Sequence, residues 1–501
     1  MSWKRLLVPS PVDLVFLLFL LAVTIVRGHQ ALNTDGDLGR HLRVGETILA
    51  ERGLFQVDRF SHTMAGQPFV PYEWLSEAAF AGAHRLAGLA GVLVLTGLVL
   101  AATYALVGLF LQRSGATPLA AFGVAIVAGV TGAVHWLARP HVFTLLGAVA
   151  TLWLLERGGR RAPWIALALF AVWANLHGGF LYGLVLIALY LAGDLLELRW
   201  GRDPAGARAG LRGHAWVLLA ALAGTLVNPT GPALLEHVAG YLGKGYLVDS
   251  TAEYQSPDFH LLYGRVFLLV LCGVVAALAL AGRRPGFPRL VTILANLAFA
   301  LISLRNIPLF GVVVLPLVAL HLAERGWQPG PGPLARLSEA FRNVAGQTAT
   351  GAWSGLGAAA LVAAALAGSA RDGGRLLPAA FDPAVFPIDA VARARAAGLQ
   401  GNVFNEFAWG GYLLYAWPER RVFIDGQTDF YGEELTREYA DLRAARGAWE
   451  ARLSHRGIEL VVLPPDAPLV QRLAGMPAWR TWYADGTATI MVRDHGGGPP
   501  S

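Results

Sequence analysis

The chain has 501 residues, 55% hydrophobic and only 15% charged, with a formal net charge of +6. A soluble domain carries roughly 25% charged residues, so the composition excludes an ordinary soluble protein. The arginines sit mainly in short loops between apolar runs, which argues against nucleic acid as a partner, and the one cysteine, Cys272, excludes an intrachain disulfide or a cysteine-based metal cluster.

The start, Met1-Ser2-Trp3-Lys4-Arg5, leads into an uninterrupted apolar run at 14–26 with no small-residue cleavage site after it. A retained signal anchor is therefore expected. Further apolar runs predict spans at 12–29, 89–111, 118–137, 141–155, 162–175, 179–196, 214–227, 264–281, 288–304, 307–323 and 351–369, about eleven in all. Several are short for a full crossing, and broken or re-entrant helices are the alternative for those.

Residues 30–87 are too long for a simple connector. Leu38, Leu42, Gly45, Ile48 and Leu49 recur at helical spacing, with Arg40, Arg43, Glu46 and Glu51 on other faces. This predicts an amphipathic helix in the membrane interface, ended by Glu51-Arg52-Gly53. Phe60–Thr63 and Gln67–Val70 read as short extended pieces, and 73–86 as a second helix that re-enters the membrane. Residues 371–495 differ in kind, with mixed polarity. Strands are expected at Val403–Asn405, Tyr412–Tyr415, Arg421–Asp425, Leu460–Leu463 and Thr487–Val492. Helices are expected at Pro387–Ala397, Gly432–Ala445 and Leu469–Ala474. The fold class is thus mainly α: a polytopic transmembrane bundle over 1–370, followed by a small C-terminal α/β domain.

Arg113, Arg157, Arg160, Arg161, Arg199, Arg283, Arg289 and Arg325 fall in alternate loops, while the short connections between those loops hold few basic residues, Arg139, Lys244 and Arg305. The positive-inside rule then puts the N-terminus in the cytoplasm and the C-terminal domain outside. The chemically distinctive motifs share that outer side, which suggests a single site facing the outer compartment.

Asp35 and Asp37 follow the first apolar run directly. Carboxylates are costly beside lipid unless they have a role. A D-x-D pair suits a divalent cation (Mg2+ or Mn2+), a general base, or both. Its structural alternative is a helix N-cap. Arg305 and Arg139 suit a phosphate, against simple snorkelling to the interface. His141, after Pro140, shares that ambiguity. Asn175 and His177, before Gly178-Gly179, suit ligand contact or a bond to a neighbouring helix. Glu73 is either a further carboxylate of the site or an interfacial charge beside Trp74. Asp425 and Asp429 suit acceptor or sugar contact, with turn formation the plainer role for Asp425. There is no Walker loop, GxSxG, HExxH or Rossmann fingerprint, so an outward-facing enzyme here needs an activated donor delivered through the membrane.

Asp35-Gly-Asp37-Leu-Gly-Arg-His41, Asp58-Arg-Phe-Ser61, Glu73-Trp74-Leu75, Arg139-Pro-His141, Trp173-Ala-Asn-Leu-His-Gly-Gly-Phe180, Asn228-Pro, Asn405-Glu406, Trp409-Gly-Gly-Tyr412 and Ile424-Asp-Gly resemble a family of bacterial polytopic membrane proteins with a DPDLWWHL-like first-loop motif. That family in turn resembles the GT-C superfamily of integral-membrane glycosyltransferases. The resemblance implies transfer of a sugar from a polyprenyl-phosphate-linked donor, at the outer leaflet of a bacterial inner membrane, with membrane lipid around the site. It also implies that an acidic residue of the first outer loop acts as base or metal ligand, which maps onto Asp35 and Asp37. Gly36 stands in place of the motif's proline and Gly39-Arg40 in place of its tryptophan pair, removing two aromatic stacking surfaces. The expected activity is inverting glycosyl transfer: Asp35 or Asp37 activates the acceptor, Arg305 and Arg139 face the lipid phosphate, and His177 and Glu73 position substrate. A non-catalytic protein that binds lipid-linked glycan in envelope assembly is the alternative. A transporter is a further one, but the paired repeats and midplane charges of transporters are missing.

Overall fold

Each apolar run expected to span is largely helical in the computed structural model, which describes residues 8–242, 245–246, 252–326, 331–369, 377 and 379–494. Met1–Arg5, Lys244, residues 371–376 and the Gly/Pro tail at 496–500 lie outside the described residues. Among those described, five helices are long and apolar enough to cross a membrane: Trp74–Arg113, Pro118–His135, Phe180–Trp200, Leu262–Leu280 and Leu304–Glu324. Pro333–Gln347 with the bent continuation Ala352–Gly368 makes a sixth if the pair is one span. Pro11–Val26, Ala162–Leu176 and Phe287–Ile302 are apolar but shorter. The chain is a multi-pass membrane protein, and length and composition of the described helices do not confirm the expected count of about eleven spans.

The chain divides into two compact units: 1–27, 93–136 and 140–377 in one, and 28–92, 137–139 and 378–501 in the other. In the first, helix α1 (Pro11–Leu21) starts with Pro11 and a capping box. The Ser10 hydroxyl accepts from the Asp13 amide, and Asp13 accepts from the Ser10 amide. The fully buried Asp13 also caps a second helix, Ala352–Ser369. Its Oδ1 accepts from the Gly351 amide at 2.9 Å, the Ser354 amide at 3.0 Å and the Ser354 hydroxyl at 2.6 Å. Asp13→Ala strips these bonds and leaves buried donors unsatisfied. The expected loss is about 2–4 kcal/mol, read as a lower Tm of the detergent-solubilised protein; an unchanged Tm would contradict this tie.

The helix Ile307–Glu324 is buried on nearly every side, as an all-round apolar sequence requires. It packs against Pro118–Gly132, Phe287–Ile302 and Val142–Arg157. At the ends of these helices Arg289 bridges Glu156 and Glu324, each at 2.7 Å, and the Tyr190 hydroxyl donates to Glu156 at 2.6 Å. Arg289, a topology marker in the sequence, is thus also part of a partly buried ion network.

The second unit starts with α2 (Gly28–Asn33) and α3 (Leu38–Glu51). As expected, α3 ends at Arg52, which takes the left-handed conformation (φ 53°). Helix α4 (Trp74–Arg113) loses helical geometry at Ala87 and Gly88, where φ of Gly88 is 59°. This separates the expected 73–86 helix from the expected span at 89–111.

The C-terminal part holds a four-stranded sheet in the order β1-β2-β4-β3, with β1 Asn402–Asn405, β2 Ile458–Leu463, β3 Trp479–Ala484 and β4 Thr489–Arg493. Strand β1 runs parallel to β2 (Phe404 opposite Val461), and the other pairs are antiparallel. Phe404, Ile424, Leu442, Val461, Leu469 and Met491 share the core beneath the sheet.

Two expected strands are corrected. Tyr412–Tyr415 lies in a helix, Gly410–Ala416, whose first five residues are all buried; a short apolar run reads equally as strand or buried helix. Arg421–Asp425 is not a strand of the sheet. Its backbone pairs with the first loop: the Val422 amide donates to the Phe60 carbonyl and the His62 amide to the Val422 carbonyl, both at 3.0 Å. The buried Asn405 side chain supplies the remaining edge, accepting from the Phe423 amide and donating to the Ile424 carbonyl. Strand β3 and the helix Trp449–His455 are additional elements that the sequence pattern did not announce.

Candidate functional site

Asp35 and Asp37 lie on the turn between α2 and α3. Upstream, Asn33 fixes the entry by donating to the Ala380 carbonyl and accepting from the Asp382 amide, at 3.1 and 2.8 Å. Asp35 Oδ1 accepts from the Asp37 amide at 2.8 Å, closing a tight turn. Asp37 occupies the N-cap position of α3, yet its side chain makes no capping bond. It turns to Arg139, whose guanidinium holds both acids: Nη2 to Asp37 Oδ2 at 2.8 Å, and Nη1 to Asp35 Oδ2. The three side chains are 15%, 13% and 23% exposed for Asp35, Asp37 and Arg139, so the cluster reaches solvent.

The departures from the first-loop motif at Gly36 and Gly39 have a steric reason. A Cβ on Gly36 would collide with the Ala408 carbonyl, one on Gly39 with the Gly411 carbonyl, and one on Gly411 with the Gly36 carbonyl. The start of α3 and the Gly410–Ala416 helix meet backbone to backbone, leaving no room for a side chain at 39. The same approach seats Asp37 Oδ1 against Gly426, where a Cβ would overlap it.

One turn further on, Arg40 is buried and extends to three partners: Glu77 Oε1 at 3.2 Å, Asp425 Oδ1 at 3.7 Å, and the Gln427 side-chain oxygen. Asp425 also accepts from the Gln427 amide at 2.9 Å and the Tyr431 hydroxyl at 3.0 Å. Burial pushes the Asp425 carboxyl above the usual carboxylate range, and Arg40 partly restrains it. Burial also opposes the Arg40 charge, but Glu77, Asp425 and Glu73 together hold its pKa above the ordinary value.

His41 completes a third group. Its Nδ1 lies 3.2 Å from Glu77 Oε1 and 3.9 Å from Glu73 Oε2. Burial pushes Glu73 up to about 7; His41 pulls it back, and Glu77 adds to the rise. A Cβ on Gly45 would collide with the Glu77 carbonyl, so this glycine lets α3 and the start of α4 approach closely enough for His41 and Glu77 to touch.

Asp35, Asp37, Glu73 and Arg139 therefore belong to one unit, with Asp35, Asp37 and Arg139 in direct contact. His141, Asn175, His177 and Arg305 belong to the other. His141 Nε2 bonds the His135 carbonyl at 2.9 Å. Asn175 donates to the carbonyls of Ala171 and Val227, both at 2.7 Å. His177 Nδ1 accepts from the Gly179 amide at 3.0 Å and meets the Thr144 hydroxyl at 2.7 Å, so the ring proton sits on Nε2. Arg305 bonds the Tyr254 hydroxyl and lies 5.3 Å from its ring centroid. Sequence reasoning gave no role to Arg40, His41, Glu77 or Gln427. The available signal was Glu73-x-x-x-Glu77, two acids at i, i+4 spacing entering an apolar helix.

As a cation site, the D-x-D pair is constrained. Arg139 engages one oxygen of each acid, and Asp35 Oδ1 is spent on the Asp37 amide. A better donor set is His41, Glu73 and Glu77, whose ligand atoms lie within 4.8 Å of one another.

No protein-family profile and no curated protein sequence matches the chain. Solved structures do. The archaeal oligosaccharyltransferase AglB from Archaeoglobus fulgidus, in complex with an inhibitory peptide and a dolichol-phosphate, superposes with a TM-score of 0.54 at 12% identity, covering 97% of this chain and 74% of its own. ArnT from Cupriavidus metallidurans bound to undecaprenyl phosphate gives 0.53 at 15% identity, covering 97% of this chain and 99% of its own. The fold is GT-C-like, as the first-loop resemblance led one to expect.

Proposed function

We propose that the chain is a GT-C-type glycosyltransferase of a bacterial inner membrane, moving a sugar from a polyprenyl-phosphate-linked donor to an acceptor on the outer face. The N-terminus is cytoplasmic and the C-terminal domain periplasmic in this reading. The observation that carries it is the solvent-reaching Asp35–Asp37 pair on the first loop of a GT-C-like fold, held by Arg139. The AglB and ArnT structures, which hold dolichol-phosphate and undecaprenyl phosphate, support the class of donor.

Asp37 acts as general base, with Asp35 as the alternative. The acceptor oxygen loses its proton to the carboxylate and bonds to the anomeric carbon from the face opposite the phosphate. The bond from that carbon to the phosphate oxygen breaks, and the polyprenyl phosphate leaves with the electron pair. Arg139 bridges the two acids and fixes their orientation beside the acceptor. Arg305 takes the charge of the lipid phosphate, with His141, Asn175 and His177 as further substrate-binding residues. Glu73 helps to position substrate. A divalent cation, where bound, adds positive charge against the leaving phosphate.

Native mass spectrometry of the purified protein with undecaprenyl phosphate tests the donor. Wild type binds the lipid, and Arg305→Ala weakens binding by about tenfold, the value of one charge-assisted contact. No retention of the lipid by wild type would contradict the donor class. The hold of Arg139 on both acids favours one rival, a non-catalytic binder of lipid-linked glycan. For that rival, neutralising Asp35 and Asp37 leaves function unchanged.

A further inference from the structure

We propose that His41, Glu73 and Glu77 form a divalent metal site, suited to Zn2+, distinct from the Asp35–Asp37 pair. The proposal stands on donor geometry and charge and does not depend on the glycosyl-transfer reading.

The three donors come from rigid neighbours. His41 lies in α3, Glu77 in the first turn of α4, and Glu73 immediately before it. One imidazole nitrogen and two carboxylates are a donor set that zinc accepts, with a fourth position left for water or substrate. Donors around tetrahedral zinc lie about 3.4 Å apart, since each bond is about 2.0–2.1 Å. His41 Nδ1 is 3.2 Å from Glu77 Oε1 and 3.9 Å from Glu73 Oε2, and all three ligand atoms lie within 4.8 Å of one another, so the carboxylates draw inward to close the cage.

The surrounding charge points the same way. Glu73, Glu77 and Asp425 bring three carboxyl groups against the single buried guanidinium of Arg40, so acidic groups outnumber basic ones around the donors. A dication adds positive charge there. Two positive groups face the donors: Arg139, which acts on Glu73, and Arg40, with Nη1 at 3.2 Å from Glu77 and 3.4 Å from His41 Nδ1. Arg40 is also held by Gln427 and Asp425, so it keeps partners when Glu77 turns to a metal.

The test uses full-length, tag-free protein in detergent, stripped with EDTA, reloaded with Zn2+ and passed through gel filtration. Bound metal is counted by inductively coupled plasma mass spectrometry, and Tm is read with and without Zn2+. Wild type is expected to retain about one Zn2+ per chain and to gain Tm on loading. Glu73→Gln and His41→Gln, neither of which removes the Glu77–Arg40 contact, are expected to weaken retention on the order of a hundredfold and to abolish the Tm gain. Glu77→Gln behaves alike, while Asp35→Asn and Asp37→Asn retain the ion. No retention by wild type overturns the proposal. So does retention that survives Glu73→Gln and His41→Gln, or that is lost in Asp37→Asn.

Discussion

Asp37→Asn is expected to lower the proposed sugar transfer by about a thousandfold while the protein still inserts and elutes as wild type, the loss typical of a removed general base. The substitution is nearly isosteric. Arg139 keeps Asp35, and Asp35 Oδ1 keeps its bond to the residue-37 amide at 2.8 Å. The turn therefore survives, and what disappears is a carboxylate able to take a proton. Asp35→Asn has a smaller effect on this account, because Asp35 is tied both to the turn and to Arg139. The two variants are compared by initial rates of label leaving a polyprenyl-phosphate sugar. An Asp37→Asn enzyme within about threefold of wild type would remove Asp37 as the base.

Arg40→Met destabilises the protein by about 3–5 kcal/mol, because it leaves buried carboxylates without their cation. Methionine fills much of the arginine stem but cannot answer Glu77 at 3.2 Å or Asp425 at 3.7 Å. The deficit depends on pH. Burial already raises the Asp425 and Glu73 carboxyls above their unfolded values, with Arg40 pulling each of them down. Without Arg40 both rise further. A carboxyl with a raised folded pKa takes up protons on folding, so stability falls as pH rises through that range. The Arg40→Met deficit is therefore larger at about pH 8 than at about pH 5. Thermal unfolding in detergent at the two pH values checks this; a Tm equal to wild type at both would show that the Arg40 pairs contribute nothing.

Much of this was legible in the sequence where local pattern decides. The apolar runs announced helices. The spacing of Leu38, Leu42, Gly45, Ile48 and Leu49 announced α3, and Arg52-Gly53 its end. Asp35 and Asp37 stood out because carboxylates beside an apolar run need a reason. What stayed hidden depends on residues far apart in the chain. Arg421–Asp425 reads as a strand, but its partners are Phe60 and His62, about 360 positions earlier, and the Asn405 side chain. Tyr412–Tyr415 reads as a strand, but burial around Gly410 and Gly411 makes it a helix. Arg40 looked like one charge on an amphipathic helix, and only folding sets it against Asp425. Gly36 and Gly39 read as departures from a motif; the carbonyls of Ala408 and Gly411 give them a steric reason.

The central claim is that the chain transfers a sugar from a polyprenyl-phosphate donor. Its most direct test supplies membranes, with and without the wild-type protein, with radiolabelled polyprenyl-phosphate sugars and follows label out of the lipid fraction. The account predicts label moving into an acceptor only where the protein is present. Label that stays on the lipid for every donor, in protein that binds undecaprenyl phosphate, would contradict it.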